Sequence, residues 1–346
     1  MTSTDVLARG SYKELKQLIL EQGLLNKQTV YYTYKIISLL GMLVASMVIL
    51  ALVPNPWLQM LNAVFFAFLT VQTGLIMHDA DHTQIFKSLW MNRLCGLIAA
   101  NLVTGISSGR WNLQHNRHHG SPNHTGLDPD VNIPYIAFSE DQALGKRGIA
   151  RFICKNQALL WFPLISLYAF RMRILYLSTL LNNLRGHAGE YSIEHPLGEA
   201  VLAVASNVLY FGIVFFFLDV WHGALFVVVH HALTGIYMAS VFATNHKGMP
   251  LINKHFDFLQ MQVITARNVK SNRLTHLFMG GLDYQIEHHL FPTMPRCNLK
   301  KARDIVKPYC EKHGIDYYET GFLRSYIEIL QNFYQVSSVL RRPVKT

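Results

Sequence analysis

The sequence predicts an all-α integral membrane protein: four transmembrane helices in two hairpins, joined to a cytoplasmic helical cap rich in histidine. Three observations predict it. The 346 residues are 51% hydrophobic and only 15% charged, whereas soluble domains carry about 25% charged residues. Four apolar runs are each long enough to supply the roughly 20 helical residues that a hydrocarbon core requires. No lysine or arginine lies in 36–78 or 199–246, which hold all but the first three residues of these runs.

Residues 1–30 come first. Ser11-x-x-Glu14 reads as a capping box ahead of Leu15, Leu18, Ile19 and Leu20, which predicts an amphipathic helix lying on the membrane surface. The start of the chain has no apolar h-region, so no cleaved signal peptide is expected. Two spans follow at about 33–53 and 57–77, turning at Pro54-Asn55-Pro56. A second pair lies at about 199–218 and 223–243, turning at Asp219–His222. Between the pairs, 89–107 and 158–180 are apolar but contain Arg93, Arg171 and Arg173. A charge at mid-bilayer is costly, so these stretches read as embedded or interfacial helices. The whole chain, 1–346, reads as one domain with its core at about 30–310 and a cytoplasmic tail at 311–346.

All 31 lysines and arginines fall in three segments: five in 1–35, eleven in 79–198 and fifteen in 247–346. Two in-and-out hairpins put those segments on one face, and the positive-inside rule makes that face cytoplasmic. Topology thus accounts for the +10 net charge, and no nucleic-acid partner is expected. The membrane would be the plasma membrane in a bacterium or the endoplasmic reticulum in a eukaryote. Cys95, Cys154, Cys297 and Cys310 form no CxxC pair, which argues against a zinc ribbon and a disulfide scaffold.

The basic segments also hold clustered histidines. They read His78-Asp79-Ala80-Asp81-His82, His115-Asn116-Arg117-His118-His119 and Gln285-Ile286-Glu287-His288-His289, and His246 ends the last span. Helical spacing puts His78/His82, His115/His118/His119 and Gln285/His288/His289 each on one face. Imidazole is a good ligand for iron, zinc and copper. Eight histidines plus Gln285 exceed the about four to six ligands one ion takes, but suit two ions with a position left open on each. His222, His230 and His231 lie at least fifteen residues before His246, more than about 20 Å along a helix. They read as packed or lumen-facing. His124, His187, His195, His255, His276 and His313 join no group.

"HDADH", "HNRHH" and "QIEHHLFP" resemble the three histidine boxes of the integral-membrane fatty acid desaturases. The glutamine-led third box resembles that of front-end desaturases. The likeness covers about residues 30–310 and includes the loop "GSPNHTGLDPDVN" after the second box. The resemblance implies that His78, His82, His115, His118, His119, His288 and His289 bind a di-iron centre through which they act in catalysis. It places His246 as a further ligand and Gln285 at a position that is histidine in other branches. It also implies an O2-dependent desaturase that inserts a cis double bond into a fatty acyl chain carried on CoA, acyl carrier protein or lipid, and the glutamine-led third box points toward front-end regiochemistry. No HPGG motif of a fused b-type cytochrome is present, so electrons are expected from a separate donor, a ferredoxin or a b-type cytochrome with its reductase.

Breaking two unactivated C–H bonds is beyond side-chain bases and requires a redox metal. Asp79, Asp81 and Glu287, inside the boxes, are expected to accept the far N–H of ligating imidazoles. Asp128, Asp130 and Asp283 read as solvated or turn-forming acids. Arg147, Arg151, Lys155, Arg171 and Arg173 are candidates for a substrate headgroup, beside their simpler reading as lipid-facing charges. Two other functions fit the same residues. One is a di-iron alkyl hydroxylase or acetylenase. The other is a non-catalytic membrane metal binder or transporter, although transporters keep their sites near the bilayer midplane.

Overall fold

The computed structural model describes residues 10–254 and 256–341; His255, the first nine residues and the last five lie outside the described residues. The chain is mostly helical and folds into two compact units. One comprises 27–114 and 163–239; the other comprises the chain up to Asn26, His115–Phe162 and the chain from Ser240.

Four helices are long and apolar enough to cross a membrane: Thr29–Leu52, Pro56–Asp81, Pro196–Phe217 and Val220–His246. Each covers the apolar run expected of it to within one residue at its end. The second and fourth continue past their runs, so that His78 and His246 sit in their last turns.

In the unit built of 27–114 and 163–239, the first two of these helices are joined through 53–55. Asn55 caps the second, its side chain accepting the N–H groups of Trp57 and Leu58 at 2.9 and 3.2 Å, with Pro56 in the first helical position. Gln59 returns the favour, donating to the last-turn carbonyls of Ile49 and Val53 at 3.0 and 2.6 Å. Helix-end carbonyls left unpaired in an apolar setting are expensive, so this buried glutamine does structural work that hydropathy would miss. Leu50, Ala63, Phe66, Val214 and Phe226 form a common core here.

The two intermediate stretches, expected as embedded or interfacial helices, form bent helix pairs. Leu89–Leu97 runs into a π-helical turn, Ile98–Thr104, stops at Gly105 in the left-handed region (φ 69°), and turns 112° into Ser108–Gly120. Gln157–Ser166 contains Pro163 and meets Tyr168–Leu184 at 64°. At this second break the backbone lies against Gly235. A Cβ there would sit 2.5 Å from the Ile165 carbonyl oxygen and 3.1 Å from the Ala169 nitrogen. Backbone cannot yield as a flexible side chain can. Gly235→Ala will therefore destabilise the protein by about 1–3 kcal/mol through overpacking, read as a lower melting temperature; an unchanged melting temperature would refute the close approach.

In the other unit, Ser11 caps the helix Tyr12–Glu21, but Glu14 does not complete a capping box; it accepts from the Tyr309 hydroxyl at 2.7 Å. Leu15 and Ile19 are fully buried against Leu290, Val306 and Tyr309. The face expected to lie on the membrane is thus used in the unit's own core, leaving Leu18 and Leu20 exposed. The all-α expectation also needs one correction. Asn268–Lys270 pairs in parallel with Glu319–Gly321, Val269 opposite Thr320. Three-residue strands are too short to show alternation.

Candidate metal centre

Three histidines of one unit converge: His118 from the helix Ser108–Gly120, His246 from the end of Val220–His246 and His289 from Gln285–Leu290. In each, Nδ1 is already engaged. His118 Nδ1 donates to Asp128 Oδ2 at 2.9 Å, His246 Nδ1 to the Thr265 carbonyl at 3.1 Å and His289 Nδ1 to Gln262 Oε1 at 2.8 Å. A neutral imidazole that donates from Nδ1 has only a lone pair at Nε2. The His118 and His246 Nε2 atoms nevertheless lie 3.3 Å apart, and ligand atoms of all three histidines fall within 4.8 Å of one another. Nε2 atoms this close share either a proton, which Asp128 favours on His118, or a metal ion. The donor set therefore fits a metal ion, with each tautomer fixed from behind.

A second group adjoins it. His119 Nε2 lies 3.1 Å from His115 Nε2 and 3.2 Å from His288 Nε2. The His119 and His289 rings stack at 4.2 Å between centroids, bringing the two groups side by side. Gln285 belongs with the first group: its Nε2 lies 2.9 Å from His246 Nε2, and its Oε1 accepts from Asn245 at 2.9 Å.

In the other unit, His78 and His82 sit one helical turn apart with ring centroids 4.8 Å apart, and Trp111 lies edge-on to His78 at 5.8 Å. Both are buried. Burial, with His78 alongside, holds the His82 ring well below its ordinary pKa, so it is kept in the neutral form that a ligand needs. Asp79 lies 3.3 Å from His78 Nδ1 and accepts from the Tyr32 hydroxyl at 2.9 Å. Asp81 is held by Asn112 and packs on Gly96, where a Cβ would come within 2.6 Å of its carboxylate.

The carboxylates divide differently from expectation. Asp128, read as a turn former, is buried and serves two purposes. It takes the His118 N–H, and it closes its own turn by accepting from the backbone of Asn123 at 2.7 Å and Asp130 at 2.9 Å. Burial alone would raise its pKa, but His118, the Lys247 charge and the Asp130 N–H bring it down to about 2. Glu287, read as an imidazole partner, instead accepts from Tyr317 at 2.6 Å and Asn268 at 2.8 Å. Burial pushes its pKa up to about 7 against those two donors. Asn268 in turn accepts the Ile286 N–H at 2.9 Å, so Glu287 steadies the third box through the backbone. Gln262 and Thr265 escaped the sequence reading. Gln262 also donates to the His119 carbonyl at 2.8 Å, tying the two groups together.

His230 and His231 are buried, belong to none of these groups, and make hydrogen bonds of their own. His230 lies between the Thr70 and Tyr210 hydroxyls at 3.0 and 2.7 Å, and His231 Nδ1 donates to the Val227 carbonyl at 3.0 Å. His222 is exposed beside Asp219. Arg147, Arg151 and Lys155 are exposed, whereas Arg173 turns inward to Asn207 at 3.1 Å.

Residues 55–321 match the family described as fatty acid desaturase. The chain is 29% identical over 343 residues to an acyl-lipid (9-3)-desaturase of Physcomitrium patens, covering 94% of this chain and 62% of that protein. It is 29% identical over 317 residues to a Delta(8)-fatty-acid desaturase of Euglena gracilis, covering 90% and 74%. With human Fatty acid desaturase 3 the identity is 27% over 330 residues, covering 93% and 71%. The chain thus spans less than two thirds of the moss protein's length. With most of its length inside one family match and its histidines in buried, converging groups, the chain belongs to the fatty acid desaturase family.

Proposed function

We propose that the chain is an O2-dependent fatty acyl desaturase with a di-iron centre. The observation that carries this reading is the convergence of the His118, His246 and His289 Nε2 atoms with every Nδ1 engaged behind them. One iron would be held by this trio, with Gln285 beside it. The other would be held by His115, His119 and His288; the three-box pattern of the sequence adds His78 and His82 to the proposed ligands. Iron so held would supply the redox chemistry that removes hydrogen from unactivated methylenes, with O2 as co-substrate. The surrounding side chains orient the ligands and bury them. Asp128, Gln262 and the Thr265 carbonyl set the tautomers, and Asp79 stands beside His78.

The charge distribution supports two hairpins with all three basic segments on the cytoplasmic side, in one membrane domain spanning 1–346. The relatives include enzymes named for the Delta(8), Delta(5) and Delta(6) positions. With the glutamine-led third box, they support a cis double bond placed in front-end fashion. A separate ferredoxin or b-type cytochrome would supply the electrons. Cells expressing the chain are expected to accumulate an unsaturated fatty acid that is absent from cells expressing His118→Ala/His119→Ala. Gas chromatography–mass spectrometry would detect it and locate the bond. A hydroxy acid in its place would overturn the desaturase reading in favour of a hydroxylase.

A further inference from the structure

Glu199 is 5% exposed, in the first turn of Pro196–Phe217, and belongs to no histidine group. Its carboxylate accepts three hydrogen bonds: from Ser107 Oγ at 2.5 Å, Gly109 N at 2.9 Å and Asn101 Nδ2 at 3.1 Å. Tyr176 donates to its backbone carbonyl at 3.0 Å and accepts from Asn101 at 2.9 Å, so the whole cluster is interlocked. Among the described residues no lysine, arginine or histidine forms an ion pair with it. A buried carboxylate without a counter-ion is expensive unless something else balances it.

The balancing element is the start of Ser108–Gly120. The first N–H groups of a helix have no intrahelical acceptor. Here three successive ones are taken by side chains: Ser108 N by Asn101 Oδ1 at 3.2 Å, Gly109 N by Glu199 at 2.9 Å and Arg110 N by Ser107 Oγ at 3.0 Å. A negative charge at this end is also favoured by the helix dipole. Gly109 leaves room for the contact, since a Cβ there would lie 2.7 Å from Glu199 Oε1. All of this occurs directly after the 112° bend, where the chain would otherwise be least constrained.

We propose that Glu199 is a positioning residue for the second histidine group. It fixes the first turn of Ser108–Gly120, and with it the helical phase at which His115, His118 and His119 are presented. This rests on reading those histidines as metal ligands. The test uses the full chain in lipid nanodiscs, stripped of metal and titrated with Co(II), whose ligand-field spectrum reports ligand geometry. Wild type is titrated first; if it shows no saturable cobalt spectrum, the ligand reading fails and this inference with it. Given a wild-type spectrum, Glu199→Ala is expected to alter the bands and weaken cobalt binding about tenfold, the scale on which supporting groups act in metal sites. Glu199→Gln, whose amide oxygen keeps an acceptor for Gly109 N but whose NH2 accepts from neither Ser107 nor Asn101, should fall between. Gly109→Ala should reproduce the altered bands with Glu199 still present, and it decides the matter if Glu199→Ala does not fold. Wild-type bands and affinity in a folded Glu199→Ala, or in Gly109→Ala where the first variant does not fold, would overturn the proposal and leave Glu199 a stabilising residue only.

Discussion

If each histidine group holds one ion as proposed, replacing His118 and His119 together by alanine removes both ions and abolishes product formation. The two positions are adjacent in sequence but serve different groups. His118 Nε2 faces His246 at 3.3 Å, and His119 Nε2 faces His115 and His288 at 3.1 and 3.2 Å. Each single change should therefore cost chiefly one ion, and the double change both. The double change also removes two largely buried rings and takes from Asp128 its His118 partner, so thermal stability measured without metal should fall, and the stabilisation that added metal gives by binding the native state should disappear. His195→Ala, whose side chain is 83% exposed, is the matched control and should retain both ions. Metal analysis of the purified variants gives the answer. Full metal content in the double variant would sink the assignment of both groups.

The membrane helices and the histidine groups were legible in the sequence because each depends on local spacing. Hydropathy over about 20 residues finds a span, and i, i+3, i+4 spacing finds a helix face. The helix ends were less legible, since Pro56–Asp81 and Val220–His246 run beyond their apolar runs to carry His78 and His246. What orients the ligands was not legible, because it comes from elsewhere in the chain. Asp128 reaches His118 from ten residues away, Thr265 reaches His246 from nineteen, and Gln262 reaches His289 from twenty-seven. Proximity to a box was therefore a poor guide to its supporting groups. It picked Glu287, whose oxygens go to Tyr317 and Asn268, and passed over Asp128. For Asp128 a usable signal existed. An acid in a Gly- and Pro-containing loop just after a ligand helix can turn back onto that helix.

Asp128→Ala is expected to weaken metal binding about 100-fold and Asp128→Asn about 10-fold, the range found when partners of ligating histidines are removed. Asparagine can still accept the His118 N–H through its amide oxygen, but it lacks the charge that raises the ring's basicity. Alanine leaves that buried N–H unpaired and the ring free to turn. Asp130 provides the internal comparison. Its carboxylate is 3.8 Å from the same nitrogen but its side chain is 36% exposed, so water screens it, and Asp130→Asn should change affinity by less than about twofold. Asp128 also holds the backbone of Asn123 and Asp130, and losing those bonds should lower the metal-free melting temperature in Asp128→Ala. The two roles separate by measurement. Cobalt titration reads the histidine contact, and unfolding without metal reads the turn. A loss of melting temperature with unchanged cobalt affinity would mean that Asp128 builds the loop alone and that the His118 ring is oriented by something else.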